Sequence, residues 1–406
     1  MKIIFLTCPG YGFTNTTNLF LRKLIAAGNT IYYFSSPQYL PYVEDTGCVF
    51  MAYEDCFEEY QNENMLEYDA YYSMKNALNQ SLSQWRAQKK VIESTLNKIK
   101  KLNPDLILHD SCMYSGKRIG EVLGIKTAAM FATIPISAAF SQENYAYLSG
   151  NYFHFHPVTN AVDPGKSVKK IKRFFETYLD EIYPIPDYFE VFQSSEDLNF
   201  IFSPRAMIPY EEKFDERYCF ISPFLSYASI RKQQLEGPPL LYISFGTSWV
   251  PKKEVVDYLY QSLGDLPVRI IFSFGGKLTN TVYGNPPQNF RVANFVEQER
   301  VLQQADLYIG SGGMTSVYEA IAHEVPMILI PFAQADHYIV ADQIEAKGCG
   351  LQIHFDALAH TDLGELVIRI LKDANYRENV KKAYRSMVQL DGIERAMERL
   401  ATYAVQ

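Results

Sequence analysis

No C-x-x-C pair occurs in this chain of 406 residues, and its six cysteines (Cys8, Cys48, Cys56, Cys112, Cys219 and Cys349) are scattered. Such spacing builds neither a zinc site nor a disulfide framework, and it suits free thiols in a reducing cytoplasm. Long apolar runs are missing too: nothing approaches the roughly 18–20 residues of a membrane span. The first residues, MKIIFLTCPGYG, carry one lysine and an apolar run too short for a signal peptide. Positive charge is in deficit, with 38 Lys and Arg against 46 Asp and Glu and a net charge of -8. That balance excludes nucleic acid as the main partner, because holding phosphate backbones needs a basic surface. The expectation is a cytoplasmic protein with no stable membrane association, long enough for two domains with sizeable cores.

What is present is an alternation of short apolar runs and helical periods, the rhythm of an α/β protein. Residues 2–7 read as a buried strand and 16–27 as an amphipathic helix, joined by a loop from Gly10 to Thr17. That loop holds a G-x-G but lacks the third glycine of the dinucleotide fingerprint. Further strands are predicted at 30–34, 49–53, 104–110, 127–131, 198–202 and 218–221, with helices over 82–102 and 116–123. Residues 225–239 are polar, close on Gly237, Pro238 and Pro239, and mark the best domain boundary. The expected organisation is an N-terminal domain over 1–224, this linker, and a C-terminal domain over 240–406. The second domain opens on a strand at 240–248, continues with strands at 268–273 and 289–293, and ends in helices over 362–371 and 376–405.

Two biased stretches each leave two readings open. Glu54, Asp55, Glu58, Glu59, Glu63, Glu67 and Asp69 are interleaved with Tyr53, Phe57, Tyr60, Tyr68, Tyr71 and Tyr72. This is either a solvated face or a surface that attracts an amine-bearing ligand through ion pairs and cation–π contacts. Lys166, Lys169, Lys170, Lys172 and Arg173 precede Phe174 and Phe175. They form a solvated helix face or a membrane-surface patch, and the acidic total favours the first.

The stretch with the densest chemistry runs from residue 294 to 345. The apolar runs DLYIG and PMILIP bracket Ser311, Gly312, Gly313, Met314, Thr315 and Ser316, where a strand gives way to a helix. Glycines let backbone amides approach a ligand, and the unpaired N–H groups that open a helix favour an anion. Glu319 on the new helix, and Asp336 and His337 after the next strand, add acceptors suited to sugar hydroxyls. The layout is that of a nucleotide-diphosphate site.

This stretch resembles the donor signature of the family 1 glycosyltransferases, the group that includes macrolide and flavonoid glycosyltransferases. Their bacterial pattern runs roughly F-V-P-Q-x-x-V-L…A-D…H-G-G-M-N-S-x-x-E-A…G-V-P…P…D/E-Q. Here it reads Phe295, Val296, Glu297, Gln298, then Val301, Leu302, Ala305, Asp306, Ser311 to Ser316, Glu319, Ala320, Val325, Pro326, Pro331, Asp336 and His337. The resemblance implies a GT-B architecture, two Rossmann-like parallel-sheet domains facing a central cleft. It implies donor-binding roles for Thr247 and, less securely, Ser248 against the diphosphate, and for the Val296 backbone at the nucleobase with Gln298 beside it. Ser311, Gly312, Gly313, Thr315 and Ser316 would hold the phosphates, Glu319 the ribose hydroxyls, and Asp336 and His337 the sugar. Ser311 stands where the family has a phosphate-binding histidine, Glu297 where it has proline, and His337 where it has glutamine.

In the N-terminal half the same resemblance places Gly12, Phe13, Asn15 and Thr17 on the loop that opens the acceptor site. Phe13 falls on the family's histidine, the general base that takes a proton from the acceptor hydroxyl. An imidazole suits that task by its pKa, and a phenylalanine cannot take a proton. Asp110 matches the carboxylate that orients the missing base, and the competing reading makes it a cap for the helix at 116–123. His109 should point to the opposite face of its strand. Phe13, Asn15 and Phe131 are the expected acceptor-binding residues.

The function so implied is inverting transfer of a sugar from a UDP- or dTDP-linked donor to a small-molecule acceptor, without metal or other cofactor, by a monomer or homodimer. An amine-bearing acceptor would suffer least from the missing base. The rival is a non-catalytic relative that binds a sugar nucleotide or an acceptor as an accessory or sensor.

Overall fold

The structure, a computed structural model, describes residues 1–54, 56–57, 74–135, 193–221, 237–246, 251–276, 283–331, 335–388 and 392–405. Strands β1 (Lys2–Leu6), β2 (Thr30–Ser35), β3 (Val49–Ala52), β4 (Leu106–Asp110), β5 (Thr127–Phe131), β6 (Asn199–Ile201) and β7 (Tyr218–Phe220) form one sheet. Its order is β3-β2-β1-β4-β5-β6-β7, and every pairing is parallel. A parallel sheet must be covered on both faces, so its strands are apolar on both sides. Ile3 and Phe5 join the core with Phe20 and Leu24 of helix α1 (Tyr11–Ala26). Ile4 and Leu6 point the other way, toward Val91 and Ile99 of α2 (Met74–Leu102) and Ile119 of α3 (Tyr114–Leu123).

The second sheet has the order β10-β9-β8-β11-β12-β13, again parallel throughout. It consists of β8 (Leu240–Ser244), β9 (Arg269–Ser273), β10 (Phe290–Ala293), β11 (Leu307–Gly310), β12 (Met327–Leu329) and β13 (Gly350–Gln352). Helices α4 (Lys253–Leu263), α5 (Gln298–Leu302), α6 (Met314–Ala322), α7 (Ala335–Ala346), α8 (Leu363–Lys372) and α9 (Ala374–Val388) belong to this half. Each sheet runs outward in both directions from its first strand. Loops leaving β1 and β4, and likewise β8 and β11, therefore diverge and open a crevice at the carboxyl ends of the strands. The two sheets make the chain an α/β protein of two Rossmann-like parallel-sheet halves, the GT-B architecture.

The halves share one apolar cluster, in which Ala129, Phe131, Ile201, Met207 and Phe214 meet Tyr242, Met314, Tyr318 and Ile321. Inside it the Ser203 and Tyr318 hydroxyls are hydrogen-bonded to each other across the junction. Helix α10 (Gly392–Val405) then returns to the first sheet. Its Ile393, Ala396 and Leu400 enter the core of Phe20, Leu24 and Ile221. Arg399 donates to the Glu216 carbonyl, and the Tyr403 hydroxyl donates to the Thr127 carbonyl at 3.0 Å.

Several elements differ from the sequence expectation: helix α2 begins at Met74 rather than residue 82, and β8 ends at Ser244 rather than residue 248. Helix α1 begins at Tyr11 rather than residue 16. Thr14 Oγ1 donates to the Gly10 carbonyl and Thr17 Oγ1 to the Phe13 carbonyl, both at 3.1 Å. These hydroxyls turn back onto the preceding helical turn, so a segment rich in them stays helical. The final helical period is two helices, α9 and α10, with Gly392, a poor helix-interior residue, at the start of the second. Strand β13 has three residues, too few for an alternation to register in the sequence. No described helix is long and apolar enough to cross a membrane.

Candidate functional site

A cleft of about 830 Å³ lies between the two sheets and is lined from both. That volume lies in the range of ordinary small-ligand sites. Gly10, Gly12 and Phe13 from the β1–α1 junction and Ala132 and Thr133 from the end of β5 form one wall. The other wall comes from Ser244, Phe245 and Gly246 after β8, Phe295 to Arg300 around the start of α5, the β11–α6 turn, and Asp336 and His337 on α7.

The β11–α6 turn is built for close approach. Gly312 adopts φ +94°, which side-chain-bearing residues rarely take, and a Cβ there would lie 2.7 Å from the His337 carbonyl oxygen. Gly313 caps α6 with no side-chain bond to its first amides, and the first helical bond to Gly313 is donated by Val317 at 3.1 Å. The amides of Met314, Thr315 and Ser316 are thus ahead of the intrahelical ladder, the arrangement that receives an anion. Ser311, which opens the turn, is largely buried and lines the cleft.

One turn further along α6, Glu319 is 7 % exposed and is held in a polar chain. Tyr242 donates to Gln298 Oε1 at 3.0 Å. Gln298 Nε2 donates to Ser316 Oγ at 3.1 Å and to the Glu319 carboxylate. This fixes the carboxylate at the cleft wall, beside the opening amides of its own helix. Phe295, which sequence reasoning did not assign a role, lies next to this group and is 62 % exposed. Its exposure inside a concave site was the missing signal.

Charge in the cleft is mostly negative. Glu297, Glu299, Glu319 and Asp336 line it. Arg300 is the one Lys or Arg among the described lining residues, and it is paired with Glu297 at 2.6 Å. Burial holds His337 below the usual imidazole range, against the opposing pull of Asp336. No group of three His, Cys, Asp or Glu side chains among the described residues is placed to hold a metal ion.

The expected residues do not all meet in the cleft. Val296, Gln298, Ser311, Gly313, Thr315, Ser316, Glu319, Asp336, His337 and Phe13 line it, and Gly312 backs the turn. Phe131 does not. It is 1 % exposed and packs in the core beside Tyr218, because β5 turns it inward and the wall is formed by the two residues that follow. Thr247 and Ser248, the side chain of Asn15, residues 58–73 of the acidic stretch, residues 166–175 and linker residues 225–236 lie outside the described residues. The described part of the acidic stretch is structural: Glu54 pairs with Lys98 at 2.7 Å, Tyr53 donates to the Thr7 carbonyl at 3.2 Å, and Phe57 is core.

Asp110 is fully buried at the end of β4 and is not part of the cleft wall. One carboxylate oxygen accepts from Thr7 Oγ1 at 2.5 Å and from the Cys8 amide at 2.7 Å. The other oxygen, Oδ1, is buried with no hydrogen bond. Burial lifts its pKa to about 7, despite the Thr7 and Cys8 bonds and the nearby His109. It ties β4 to the β1–α1 turn and does not cap α3. Phe13 packs on the same apolar cluster as Cys8 and Met113, so an apolar ring lines the cleft at this point. His109 points to the other face, as the alternation requires, and bonds Glu196 at 2.9 Å. A Cβ on Gly116 would fall 2.4 Å from the Cβ of His109, so the helix–strand contact depends on that glycine.

The comparisons with known proteins agree with this geometry. Residues 231–391 match the family model described as UDP-glucoronosyl and UDP-glucosyl transferase. The NDP-glycosyltransferase YjiC of Bacillus subtilis is 26 % identical over 99 % of this chain and 97 % of its own length. Among solved structures, the calicheamicin glycosyltransferase CalG4 superposes with a TM-score of 0.76 at 21 % identity, covering 100 % of this chain and 98 % of that one. The glycosyltransferase VinC, solved in complex with dTDP, superposes with a TM-score of 0.68 at 14 % identity over 100 % of this chain and 99 % of its own. Residues 231–391 thus carry the likeness to that family model, and over its full length the chain is similar to nucleotide-sugar glycosyltransferases and shares their fold.

Proposed function

We propose that this protein transfers a sugar from a UDP- or dTDP-linked donor to a small acceptor in the interdomain cleft. The observation that carries the reading is the Tyr242–Gln298–Glu319 chain beside the opening amides of α6. Those amides suit a diphosphate and the positioned carboxylate suits ribose hydroxyls, while the exposed ring of Phe295 offers a face on which a base stacks. VinC, of the same fold, binds dTDP. The remaining wall, with Phe13, Ala132 and Thr133, is apolar and suits the body of an acceptor.

In this reading the acceptor nucleophile attacks the anomeric carbon from the side opposite the diphosphate. The bond from carbon to phosphate oxygen breaks as the new bond forms, and the configuration inverts. Negative charge grows on the leaving diphosphate, where fixed amides stabilise it without reorganisation. The nucleophile's proton passes to water, since Phe13 takes none and Asp110 lies behind the wall. Positioning carries the rate, and the absent base forfeits about 10²–10⁴-fold for a hydroxyl acceptor. An acceptor that is nucleophilic before it loses its proton, such as an amine, forfeits less. Neither metal nor cofactor enters the scheme.

The test is a turnover screen of UDP- and dTDP-sugars against hydroxyl and amine acceptors, read by mass spectrometry of the products. Glycosylated product with at least one pair, and faster transfer to amines than to matched alcohols, is expected. Donor binding with no product and no donor hydrolysis under any pair would return the non-catalytic reading.

A further inference from the structure

Resting on that donor reading, we infer that Tyr308 is a positioning residue of the donor site, whose hydroxyl fastens the turn after β8 to β11. That turn and the β11–α6 turn then meet the diphosphate as one rigid frame. Tyr308 lies on β11, is 2 % exposed, and is not itself one of the described lining residues. Its hydroxyl donates to the Ser244 carbonyl at 3.0 Å. Ser244 is the last residue of β8, and its own hydroxyl accepts from the Gly246 amide at 3.4 Å. Gly246 stands at φ +83°, in the left-handed region that glycine tolerates. Ser244, Phe245 and Gly246 line the cleft together with Gly313, Thr315 and Ser316. One bond behind the wall therefore sets the start of a turn in the wall.

The sequence makes room for that bond at Gly310. Residues 308 and 310 point to the same face of their strand. A Cβ on Gly310 would lie 2.1 Å from the Tyr308 hydroxyl oxygen and 2.3 Å from its Cζ. Gly310 pairs with Ser244 in the register of β11 and β8, so the ring lies over its own strand and reaches the carbonyl of the neighbouring one. A side chain at 310 would displace a ring that is packed in the core beside Tyr242, with centroids 5.6 Å apart. Glycine weakens a strand, and this close approach is what it admits. The two tyrosines divide the floor of the site. Tyr242 donates to Gln298 and through it steadies Glu319, while Tyr308 steadies the β8 turn. Burial pushes the Tyr308 hydroxyl far above its ordinary range, so it stays a donor at every working pH. Without that hydroxyl the buried carbonyl loses this donor, and the peptide that opens the turn is drawn toward water in the cleft.

Calorimetric titration of UDP and UMP, with dTDP as the second base, into the wild-type chain and Tyr308→Phe tests the role. The phenylalanine keeps the ring and removes only the hydroxyl. Loss of one neutral hydrogen bond corresponds to about threefold to tenfold in affinity. That loss is expected for UDP and dTDP, with a smaller one for UMP, which lacks the second phosphate. Gly310→Ala is the second variant: it retains the hydroxyl but drives the ring off Ser244, so it should weaken the same ligands in the same order. Thermal melts record the stability of each protein separately from its affinity. Unchanged UDP affinity in folded Tyr308→Phe, or an equal loss for UDP and UMP, would overturn the positioning role and leave Tyr308 a core residue only. A wild-type chain that binds neither UDP nor dTDP would instead bring down the donor reading beneath it.

Discussion

At the scale of single residues, Asp110 is the buried carboxyl that joins β4 to the β1–α1 turn. Its carboxyl is lifted to about 7 by burial, and one oxygen goes without a hydrogen bond. A group whose pKa is raised on folding contributes stability that is full below its unfolded value, and this is lost as pH rises through the folded value. Asp110→Asn keeps an acceptor for Thr7 and Cys8 and cannot ionise. Relative to the wild type, it should gain stability between about pH 4 and pH 7 and hold that gain above. Urea midpoints taken across this range check it, and parallel curves would show that the carboxyl does not titrate there. Phe13→His places a proton acceptor on the cleft wall and should raise transfer to hydroxyl acceptors, while a fall would mean that the ring shapes the acceptor pocket. Gly312→Ala meets both a left-handed φ and the His337 carbonyl. It should cost about 1–3 kcal/mol of stability, measured by denaturation, with a loss of diphosphate affinity.

The resemblance named Gln298, Ser316 and Glu319, and all three line the cleft. Their hydrogen bonds were not legible in the sequence, because Gln298 and Glu319 are joined by side-chain reach and not by periodicity. Phe131 shows the limit from the other side. A resemblance gave it to the acceptor wall, and the turn of one strand residue put it in the core.

At the scale of elements, most strands of the first sheet were read to within a residue or two, since buried parallel strands are continuous apolar runs bounded by polar turns, whereas the three-residue β13 was not read at all. Helix starts were less legible. A threonine-rich segment reads as a loop, and the back-bonding that makes it helical depends on rotamers. Helix α10 is the element whose position the sequence alone explains least, because its apolar stripe says only that it is covered, and contacts decide by what. Leu400 is fully buried against the first sheet although it lies in the last helix. Leu400→Ala should cost about 2–5 kcal/mol, read from a urea transition. A cost below about 1 kcal/mol would mean that α10 is not a working part of that core.

At the scale of the whole molecule, the two sheets present the carboxyl ends of their strands to one cleft, and each half brings a different competence. The second half brings amides, a fixed carboxylate and an imidazole around one turn. The first brings the wall of Phe13, Ala132 and Thr133, with Asp110 sealed away behind it. A shared apolar core and the Ser203–Tyr318 bond tie helix α6 to the first half, so the two walls of the cleft are positioned by the same contacts. The central claim is that the α6 turn and Glu319 bind a nucleoside diphosphate. Calorimetric titration of UDP and dTDP into the wild-type chain and into Glu319→Ala tests it most directly. Saturable one-site binding that weakens by about tenfold or more in the variant is predicted, as expected for loss of a buried, ribose-facing carboxylate. Equal binding by the two proteins, or no binding by the wild type, would contradict the account.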